Sequence, residues 1–327
     1  MKQEDLKKLE SFFKDPLLND DIKLLNGGFS TASNYRIMYL NQPYFVRIMS
    51  QDQLPESREK ECFITDYAAN IEIGPKVYYL NPNDGIIITD FINGRMANYD
   101  DLVKESSRNL IIDGLKKLHQ IKKRSFPKAI LITEYVRSTF ARIESFFLND
   151  ILNTYELNSA LLKLYKYEQN ASTDALIHND FNPNNILFDG KRYYFIDWTN
   201  AGSGDPFSDI SWHALICPQS IHEDLLKRYF GYSDSFLRGK LTCYYAQRLF
   251  LQAFWNIEQS KKLTPDYENI LNKMLKEKEI PEPHLIAKDI SENKKSLSNT
   301  DHLLIYTASM INKLKTIIKT DEFLKTL

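Results

Sequence analysis

The pattern of apolar residues changes at Asn93-Gly94, and this change constrains the fold more than any other feature. Before it, residues 34–40 alternate between large apolar and more polar side chains, which is the period of a half-buried strand. After it, apolar residues recur mainly at helical spacing, as in 110–119. We therefore predict an α+β fold, with a small antiparallel β-sheet followed by a larger, mainly helical part.

The remaining elements follow from the same two periods. In the first part we predict one helix at 55–71. We also predict five strands there, at 22–26, 34–40, 44–49, 77–80 and 86–91. In the second part we predict helices at 135–148, 157–167, 225–230, 237–259, 267–276 and 303–318. Three short apolar runs interrupt these helices and predict a small strand insert, at 175–178, 186–188 and 193–196.

Composition excludes several classes of protein. The 327 residues are 43% hydrophobic with a formal net charge of −1, which is typical of a globular protein and gives no basic surface for nucleic acid. The three cysteines are too few and too scattered for a disulfide framework. The first residues lack a signal-peptide core, and no apolar run is long enough to span a bilayer. We therefore expect a cytoplasmic protein without membrane insertion.

The segment from His178 to Asp197 carries the strongest chemical signal. Asp180 follows a predicted strand, Asn185 comes five residues later, and Asp197 ends the next predicted hairpin. Phosphoryl transfer requires a carboxylate at the attacking hydroxyl and oxygen ligands for Mg²⁺ on the phosphates. The alternative is a turn in which Asp, Asn and Pro serve only the backbone. The HxDxxxxN spacing, a hairpin and then an Asp together favour a metal–phosphate site.

These residues also resemble a known family. The run HNDFNPNNILF, followed by YYFIDW, is similar to the catalytic segment of the aminoglycoside phosphotransferase and choline kinase superfamily, and the similarity extends over about 20–260. The resemblance implies a two-lobed protein-kinase-like fold, with an N-lobe at 1–92 and a C-lobe at 93–327. It also implies a kinase that uses ATP and Mg²⁺ and acts on a small hydroxylated molecule.

The resemblance assigns roles within the catalytic segment. It implies that Asp180 is the catalytic base and that Asn185 and Asp197 are the magnesium ligands. His178 begins the segment, and Asp209 in the following Asp-Pro…Asp-Ile run supports the catalytic loop. Asp209 is alternatively, or in addition, a helix N-cap.

The resemblance also implies residues that bind the nucleotide. Gly27, Gly28 and Ser30 match the family's glycine-rich phosphate loop, although the register over 30–34 stays open. Arg47 lies within an apolar strand, and a buried cation requires a partner. We expect that partner to be Glu61, with Glu59 as the second choice.

Two further positions match the family. Backbone groups of Asp90 and Ile92 match the hinge that bonds adenine. His119 ends a Leu-x-x-Leu-His helix, and we expect it to be a structural hydrogen-bonding residue rather than a catalyst.

The acceptor substrate is the least constrained part. Bacterial choline kinases often have Glu where this chain has Thr199, and a Trp where it has Gln252. The remaining aromatic residues suggest a partial cage for a cationic amine such as choline or ethanolamine: Trp198, Trp212, Tyr245 and Trp255. The competing interpretation is that these rings belong to the core.

Two other functions remain open. An antibiotic kinase acting on polycationic aminoglycosides would require an acidic site, for which Glu258, Asp266 and Glu268 are candidates. A kinase-fold scaffold without catalysis is the third interpretation. The sequence leaves open whether the protein is a monomer or a homodimer, and what residues 281–327 do.

Overall fold

A computed structural model gives the fold of most of the chain. It describes residues 3–9, 12–14, 17–25, 32–50, 52–121, 126–143, 145–277, 279–292 and 300–327. The chain forms two compact units. The first unit comprises Met1–Ala97 and Pro183–Ala201, and the second comprises Asn98–Asn182 and Gly202–Leu327. The lobe boundary at residue 92/93 stays a prediction.

The elements of the described residues are numbered in chain order. The strands are β1 (Ile22–Leu24), β2 (Ser33–Tyr39), β3 (Gln42–Ile48), β4 (Val77–Asn81), β5 (Ile86–Asp90), β6 (Arg95–Met96), β7 (Ala175–Ile177), β8 (Ile186–Phe188), β9 (Tyr193–Phe195) and β10 (Gly202–Gly204). The helices are α1 (Gln3–Leu9), α2 (Pro55–Asn70), α3 (Tyr99–Val103), α4 (Glu105–His119), α5 (Ile132–Ile143), α6 (Phe146–Thr154), α7 (Leu157–Gln169), α8 (Phe207–Ile216), α9 (His222–Phe230), α10 (Ser235–Leu263), α11 (Tyr267–Leu275), α12 (Pro283–Glu292), α13 (Thr300–Ile317) and α14 (Asp321–Thr326).

The first unit is built on an antiparallel sheet with strand order β1-β2-β3-β5-β4. Tyr35 and Ile37 of β2 are buried, as the alternating pattern predicted, and pack with Val46 of β3 and Ile88 of β5. Helix α2 begins at Pro55, where the missing N–H of proline leaves no helical hydrogen bond unmade. The predicted order of strands, helix and strand pair is confirmed.

The small strands pair differently from the single insert that we predicted. β8 pairs with β9 and with β6 in the first unit, whereas β7 pairs with β10 in the second unit. The residues of β10 are Gly-Ser-Gly, which carry no strand signal in the sequence. A Cβ on Gly202 would lie 2.7 Å from the backbone carbonyl oxygen of Pro127 and 2.8 Å from the backbone nitrogen of Ala129, so this close approach favours glycine.

The second unit is mainly helical, with α10 packed against α5, α8 and α13. The single helix predicted at 135–148 is wrong, because α5 ends at Ile143 and α6 begins at Phe146. The Ser145 hydroxyl accepts a hydrogen bond from the Leu148 N–H and caps α6, a start signal inside an otherwise continuous apolar pattern. In the C-terminal segment, α12 packs on α3 and α8, while α13 packs on α10 and α11.

Candidate active site

The candidate catalytic loop follows β7 and contains Asn179 in a left-handed conformation. Asn179 has φ of +65°, which Asn tolerates better than most residues. Its side chain donates to the Ile130 carbonyl at 2.9 Å and accepts from the Ser208 hydroxyl at 2.9 Å. These bonds hold the backbone turn that leads into Asp180.

Asp209 anchors the same loop from the first turn of α8. Its Oδ2 and Oδ1 atoms accept hydrogen bonds from the backbone N–H groups of His178 and Asn179, both at 2.7 Å. The carboxylate is fully buried. Support of the loop by Asp209 is therefore confirmed as a contact, and we call Asp209, His119, His178, Asn179 and Ser208 the Asp209 cluster.

His119 completes this cluster. Its Nε2 atom lies 2.9 Å from Asp209 Oδ2, and its Nδ1 atom lies 2.7 Å from the Tyr229 hydroxyl. A carboxylate can only accept, so Nε2 donates to Asp209. Burial alone would raise the pKa of Asp209, but the hydrogen bond and charge of His119 outweigh it and lower that pKa. The hydrogen bonding predicted for His119 is confirmed.

Asp180, the predicted base, is half-buried. Its Oδ1 atom accepts a hydrogen bond from the Asn182 amide at 3.0 Å. Burial and the charge of Asp180 together raise the pKa of Tyr135 to about 12. Tyr135 is therefore a protonated hydroxyl at neutral pH in the neighbourhood of the predicted base.

The structure adds Arg248 of α10, which the sequence patterns did not single out. This guanidinium is almost fully buried, donates to the Ser208 carbonyl at 2.9 Å and lies 4.6 Å from the ring centroid of Trp212. Burial lowers its pKa to about 10, while the charges of Asp180 and Asp209 oppose that shift. A cation within a helix that is otherwise apolar on that side was the signal available in the sequence.

In the first unit, the hairpin β8–β9 determines where Asn185 and Asp197 lie. Ile186 pairs with Phe195, and the Asn185 carbonyl accepts from the Ile196 N–H at 3.0 Å. The two predicted magnesium ligands therefore lie at the same end of one hairpin. Asp197 has φ of +64°, a conformation that is uncommon for non-glycine residues but that Asp tolerates better than most.

Arg47 of β3 connects this hairpin with α2. Its Nε atom donates to Glu61 Oε1 at 2.7 Å, and both side chains are buried. Its Nη2 atom lies 3.5 Å from Asp197 Oδ1 and 2.9 Å from Thr199 Oγ1. Glu61 is confirmed as the partner of Arg47, and we call Arg47, Glu61, Asp197 and Thr199 the Arg47 network.

Two other residues reach this network. The Gln53 amide donates to Glu61 Oε2 at 3.0 Å, and Lys60 Nζ donates to the Thr199 carbonyl at 3.0 Å. Burial lowers the pKa of Lys60, although the charge of Glu61 opposes the shift. In the sequence, Thr199 stood out only as a missing glutamate, and its contacts were not predicted.

The remaining predicted nucleotide contacts are only partly described. Asp90 ends β5, where its N–H donates to the Lys76 carbonyl and its side chain accepts from the Tyr78 hydroxyl. Ile92 lies two residues beyond it. Gly27, Gly28 and Ser30 lie outside the described residues. The adenine and phosphate contacts of these five residues stay predictions.

The four aromatic residues predicted to bind substrate have different surroundings. Trp198 and Tyr245 are only 2% and 4% exposed, so the prediction that they line a substrate cage is corrected to core packing. Trp212 and Trp255 are half-buried, and their contact with substrate stays a prediction. One face of Trp212 is already covered by Arg248.

In the part of the chain that the structure describes, no group of three or more His, Cys, Asp or Glu side chains is placed to hold a metal ion. None of the described helices is long and apolar enough to cross a membrane.

Comparison with known proteins finds relatives for about half of the chain. Protein LicA of Haemophilus influenzae is 25% identical over 165 residues, which cover 47% of this chain and 46% of the relative. A second LicA from the same species matches over 58% of its length, so the chain spans about half the length of the curated relatives it matches.

Solved structures show the same fold. A choline/ethanolamine kinase family protein from Mesorhizobium loti has a TM-score of 0.63 and 17% identity, covering 99% of this chain and 96% of that one. The streptomycin–ATP–APH(2″)-IIa ternary complex has a TM-score of 0.55 and 20% identity, covering 82% and 95%. The fold is thus protein-kinase-like and α+β.

The sequence profile of the phosphotransferase enzyme family matches residues 21–241, which is well over half of the chain. The match includes both the Arg47 network and the loop anchored by Asp209. The chain therefore belongs to the phosphotransferase enzyme family.

Proposed function

We propose that this protein transfers the γ-phosphate of ATP to the hydroxyl group of a small amino alcohol in a magnesium-dependent reaction. The observation that carries the proposal is the Arg47 network. Its buried ion pair between Arg47 and Glu61 continues to Asp197, the position that the family motif assigns to a metal ligand. A structural ion pair between Arg47 and Glu61 has no need of Asp197 as a second acidic residue.

The residues of the first unit fit a magnesium–nucleotide site. Asn185 and Asp197 offer an amide and a carboxylate oxygen, the hard donors that Mg²⁺ prefers. Magnesium usually takes one or two carboxylates and completes its shell with phosphate and water, so a larger acidic cluster is not required. When bound, Mg²⁺ supplies positive charge that stabilises the phosphates during transfer. Arg47 supplies a further fixed cation beside the same carboxylate.

Asp180 acts on the acceptor hydroxyl. The Asp209 cluster fixes the loop that presents it, so little reorientation is needed when the substrate arrives. The carboxylate of Asp180 orients the hydroxyl and accepts its proton as the oxygen attacks the γ-phosphate. Transfer then depends on position and charge stabilisation, without a covalent enzyme intermediate.

Choline or ethanolamine is the acceptor class that we propose, and Gln252 favours ethanolamine over choline. Arg248 lies over the ring of Trp212 and repels a second cation at that face, whether primary or quaternary, so the preference depends on Gln252. Gln252, which stands where choline kinases often have Trp, donates its amide N–H to the Asn256 side chain, so its carbonyl oxygen takes no part in that hydrogen bond. An amide oxygen accepts hydrogen bonds from a primary ammonium but receives none from a quaternary one.

An aminoglycoside acceptor is less well supported. The three acidic candidates are already bonded within the second unit, Glu258 to Arg142, Glu268 to Ser145 and Tyr267, and Asp266 to Asn269. A polycation would have to displace these partners. A scaffold without catalysis would not require Asp180, Asn185 and Asp197 together as substrate and metal ligands.

A panel of acceptors tests this proposal. Purified protein is incubated with ATP and Mg²⁺ and with ethanolamine, choline, homoserine, thiamine or streptomycin, and phosphorus NMR follows the products. We expect a phosphomonoester of ethanolamine or choline, with ethanolamine preferred. If only the aminoglycoside is phosphorylated, the proposed acceptor class is wrong. If no acceptor is phosphorylated and the protein does not bind ATP, the proposed kinase activity is contradicted.

A further inference from the structure

The hydroxyl of Thr199 lies at the centre of the Arg47 network. Its oxygen is 2.7 Å from Asp197 Oδ1, 2.9 Å from Arg47 Nη2 and 3.3 Å from Glu61 Oε2. The family motif assigns no role to a threonine at this position. The hydroxyl contacts both members of the buried ion pair and the predicted metal ligand at once.

Hydrogen-bond chemistry determines the direction of these contacts. A hydroxyl has one proton to donate, and it goes to the nearer carboxylate oxygen, Asp197 Oδ1. Arg47 can only donate, so Thr199 accepts from its Nη2 atom. Glu61 Oε2 has the Gln53 amide as its donor at 3.0 Å. The Thr199 hydroxyl therefore links the two residues: it accepts a hydrogen bond from Arg47 and donates one to Asp197.

The Thr199 hydroxyl lies closer to Arg47 than the Asp197 carboxylate does. Arg47 Nη2 lies 2.9 Å from the hydroxyl but 3.5 Å from Asp197 Oδ1, which is long for a charge-assisted hydrogen bond. Both of these contacts of Asp197 use Oδ1 and neither uses Oδ2. A full ion pair with Arg47 would compete with a cation for this carboxylate.

The main chain of Thr199 is held as well. Lys60 of α2 donates to its carbonyl oxygen at 3.0 Å, and the nearby Asp197 has a left-handed backbone. The position of the hydroxyl is thus set by α2 at one end and by the hairpin at the other. A side chain with this number of fixed contacts already has its position before a ligand binds and need not rearrange.

We propose that Thr199 is a positioning residue for the divalent cation. Its hydroxyl keeps Arg47 from pairing fully with Asp197 and orients that carboxylate for the metal that accompanies the nucleotide. The inference rests on the proposed function and deepens it, because it concerns the same metal and nucleotide site. It predicts that removal of the hydroxyl weakens cation binding more than it weakens folding.

Matched variants test the role directly. Thr199→Val keeps the shape and removes the hydroxyl, Thr199→Ala is a second variant without it, and Thr199→Ser restores it. Thr307→Val makes the same change at a buried threonine of α13 whose hydroxyl donates to the Leu303 carbonyl of its own helix. The readout is the affinity for Mn²⁺ in the presence of ADP, measured by electron paramagnetic resonance of the free ion, together with the melting temperature of each variant.

We expect Thr199→Val and Thr199→Ala to bind Mn²⁺ about 3- to 10-fold more weakly, the range for the net loss of one typical hydrogen bond. Thr199→Ser and Thr307→Val should match the wild type in Mn²⁺ affinity. Equal Mn²⁺ affinity in wild type and Thr199→Val would overturn the inference, as would equal weakening in Thr199→Ser.

A further variant separates this inference from the proposed function. Asp197→Asn removes the predicted metal ligand itself and should abolish the measured binding. If Asp197→Asn binds weakly while both hydroxyl-free variants match the wild type, the inference about Thr199 is wrong and the metal site stands. If the wild type binds no Mn²⁺ with ADP, the proposed function and the inference are both contradicted.

Discussion

Asp209 and Glu61 are both buried carboxylates next to predicted catalytic residues, but they are satisfied by different donors. Asp209 accepts from two backbone N–H groups and one imidazole, all within the second unit. Glu61 accepts from the guanidinium of Arg47 and from the Gln53 amide in the first unit. Main-chain donors cannot leave without unfolding the loop, whereas a side-chain cation can adjust to a ligand.

This difference suggests that the two regions have different roles. The Asp209 cluster fixes the backbone of the catalytic loop, and we expect its changes to appear first as lost stability. The Arg47 network balances charge around a site for phosphate and metal, and we expect its changes to appear first as lost ligand affinity. Substitutions in the two regions test that distinction.

Replacement of Asp209 should have the largest effect on stability. Asp209→Ala leaves two buried N–H groups and His119 without their acceptor, and we expect a loss of about 3–5 kcal/mol in the free energy of unfolding. Asp209→Asn keeps one acceptor oxygen and should lose less. Asp150→Ala, at an exposed aspartate of α6, is the control. Urea denaturation at pH 7 measures all three, and wild-type stability of Asp209→Ala would contradict the role of this cluster.

Acidification should weaken the second unit next. Burial lowers the pKa of His213 and of His222 to about 4, below the usual value near 6.5. The unfolded chain therefore binds more protons between these values, and stability falls as the pH drops from about 6.5 to about 4. The slope is at most ~1.4 kcal/mol per pH unit for each histidine.

The histidine contribution can be isolated with one variant. His222→Gln keeps a donor for the Ala214 carbonyl but removes the titrating ring. Its stability should fall less steeply than that of the wild type between pH 6.5 and 4, as followed by urea denaturation. The pKa of Asp209 is lowered from its usual value near 3.8, so the stability that its carboxylate contributes is lost only at still lower pH. Identical slopes for variant and wild type would show that His222 does not titrate as proposed.

Arg47→Lys should have the smallest effect on stability. Lysine keeps the positive charge beside Glu61 but lacks the planar fork that reaches both Glu61 and Thr199. We expect the free energy of unfolding to change by only about 1 kcal/mol, while the affinity for ADP with Mn²⁺ falls several-fold. Arg58→Lys, at an arginine of α2 that bonds to the Asn83 carbonyl, is the control. A loss of stability as large as that of Asp209→Ala would remove the contrast between the two regions.

Much of the site was predictable because it depends on local spacing. The loop after β7 and the hairpin that carries Asn185 and Asp197 follow from strand periods. The rule that buried charges are paired predicts a partner for Arg47, and the family resemblance indicated Glu61 as that partner. The pairing of His119 with Asp209 was only partly predictable. The sequence indicated a structural histidine and a supporting aspartate, but not that they bond to each other.

The missed features depend on contacts that are distant in sequence. β10 is Gly-Ser-Gly and has no apolar pattern, yet it pairs with β7, and its Gly202 permits the close approach of the backbone of Pro127 and Ala129. Trp198 and Tyr245 were interpreted as substrate residues, since an aromatic ring in the core and one in a cage have the same sequence signal. Thr199 was missed because its role depends on Arg47 and Glu61, which lie 152 and 138 residues away in the chain.

Asp180→Asn tests the central claim most directly. The measurement is the rate of phosphate transfer from ATP to ethanolamine with Mg²⁺, in parallel with the melting temperature and the affinity for ADP. We expect turnover to fall by about 10²- to 10⁴-fold, because the general base is lost, while melting and ADP binding stay close to wild type. Turnover at the wild-type rate in a folded, nucleotide-binding Asp180→Asn protein would contradict the account.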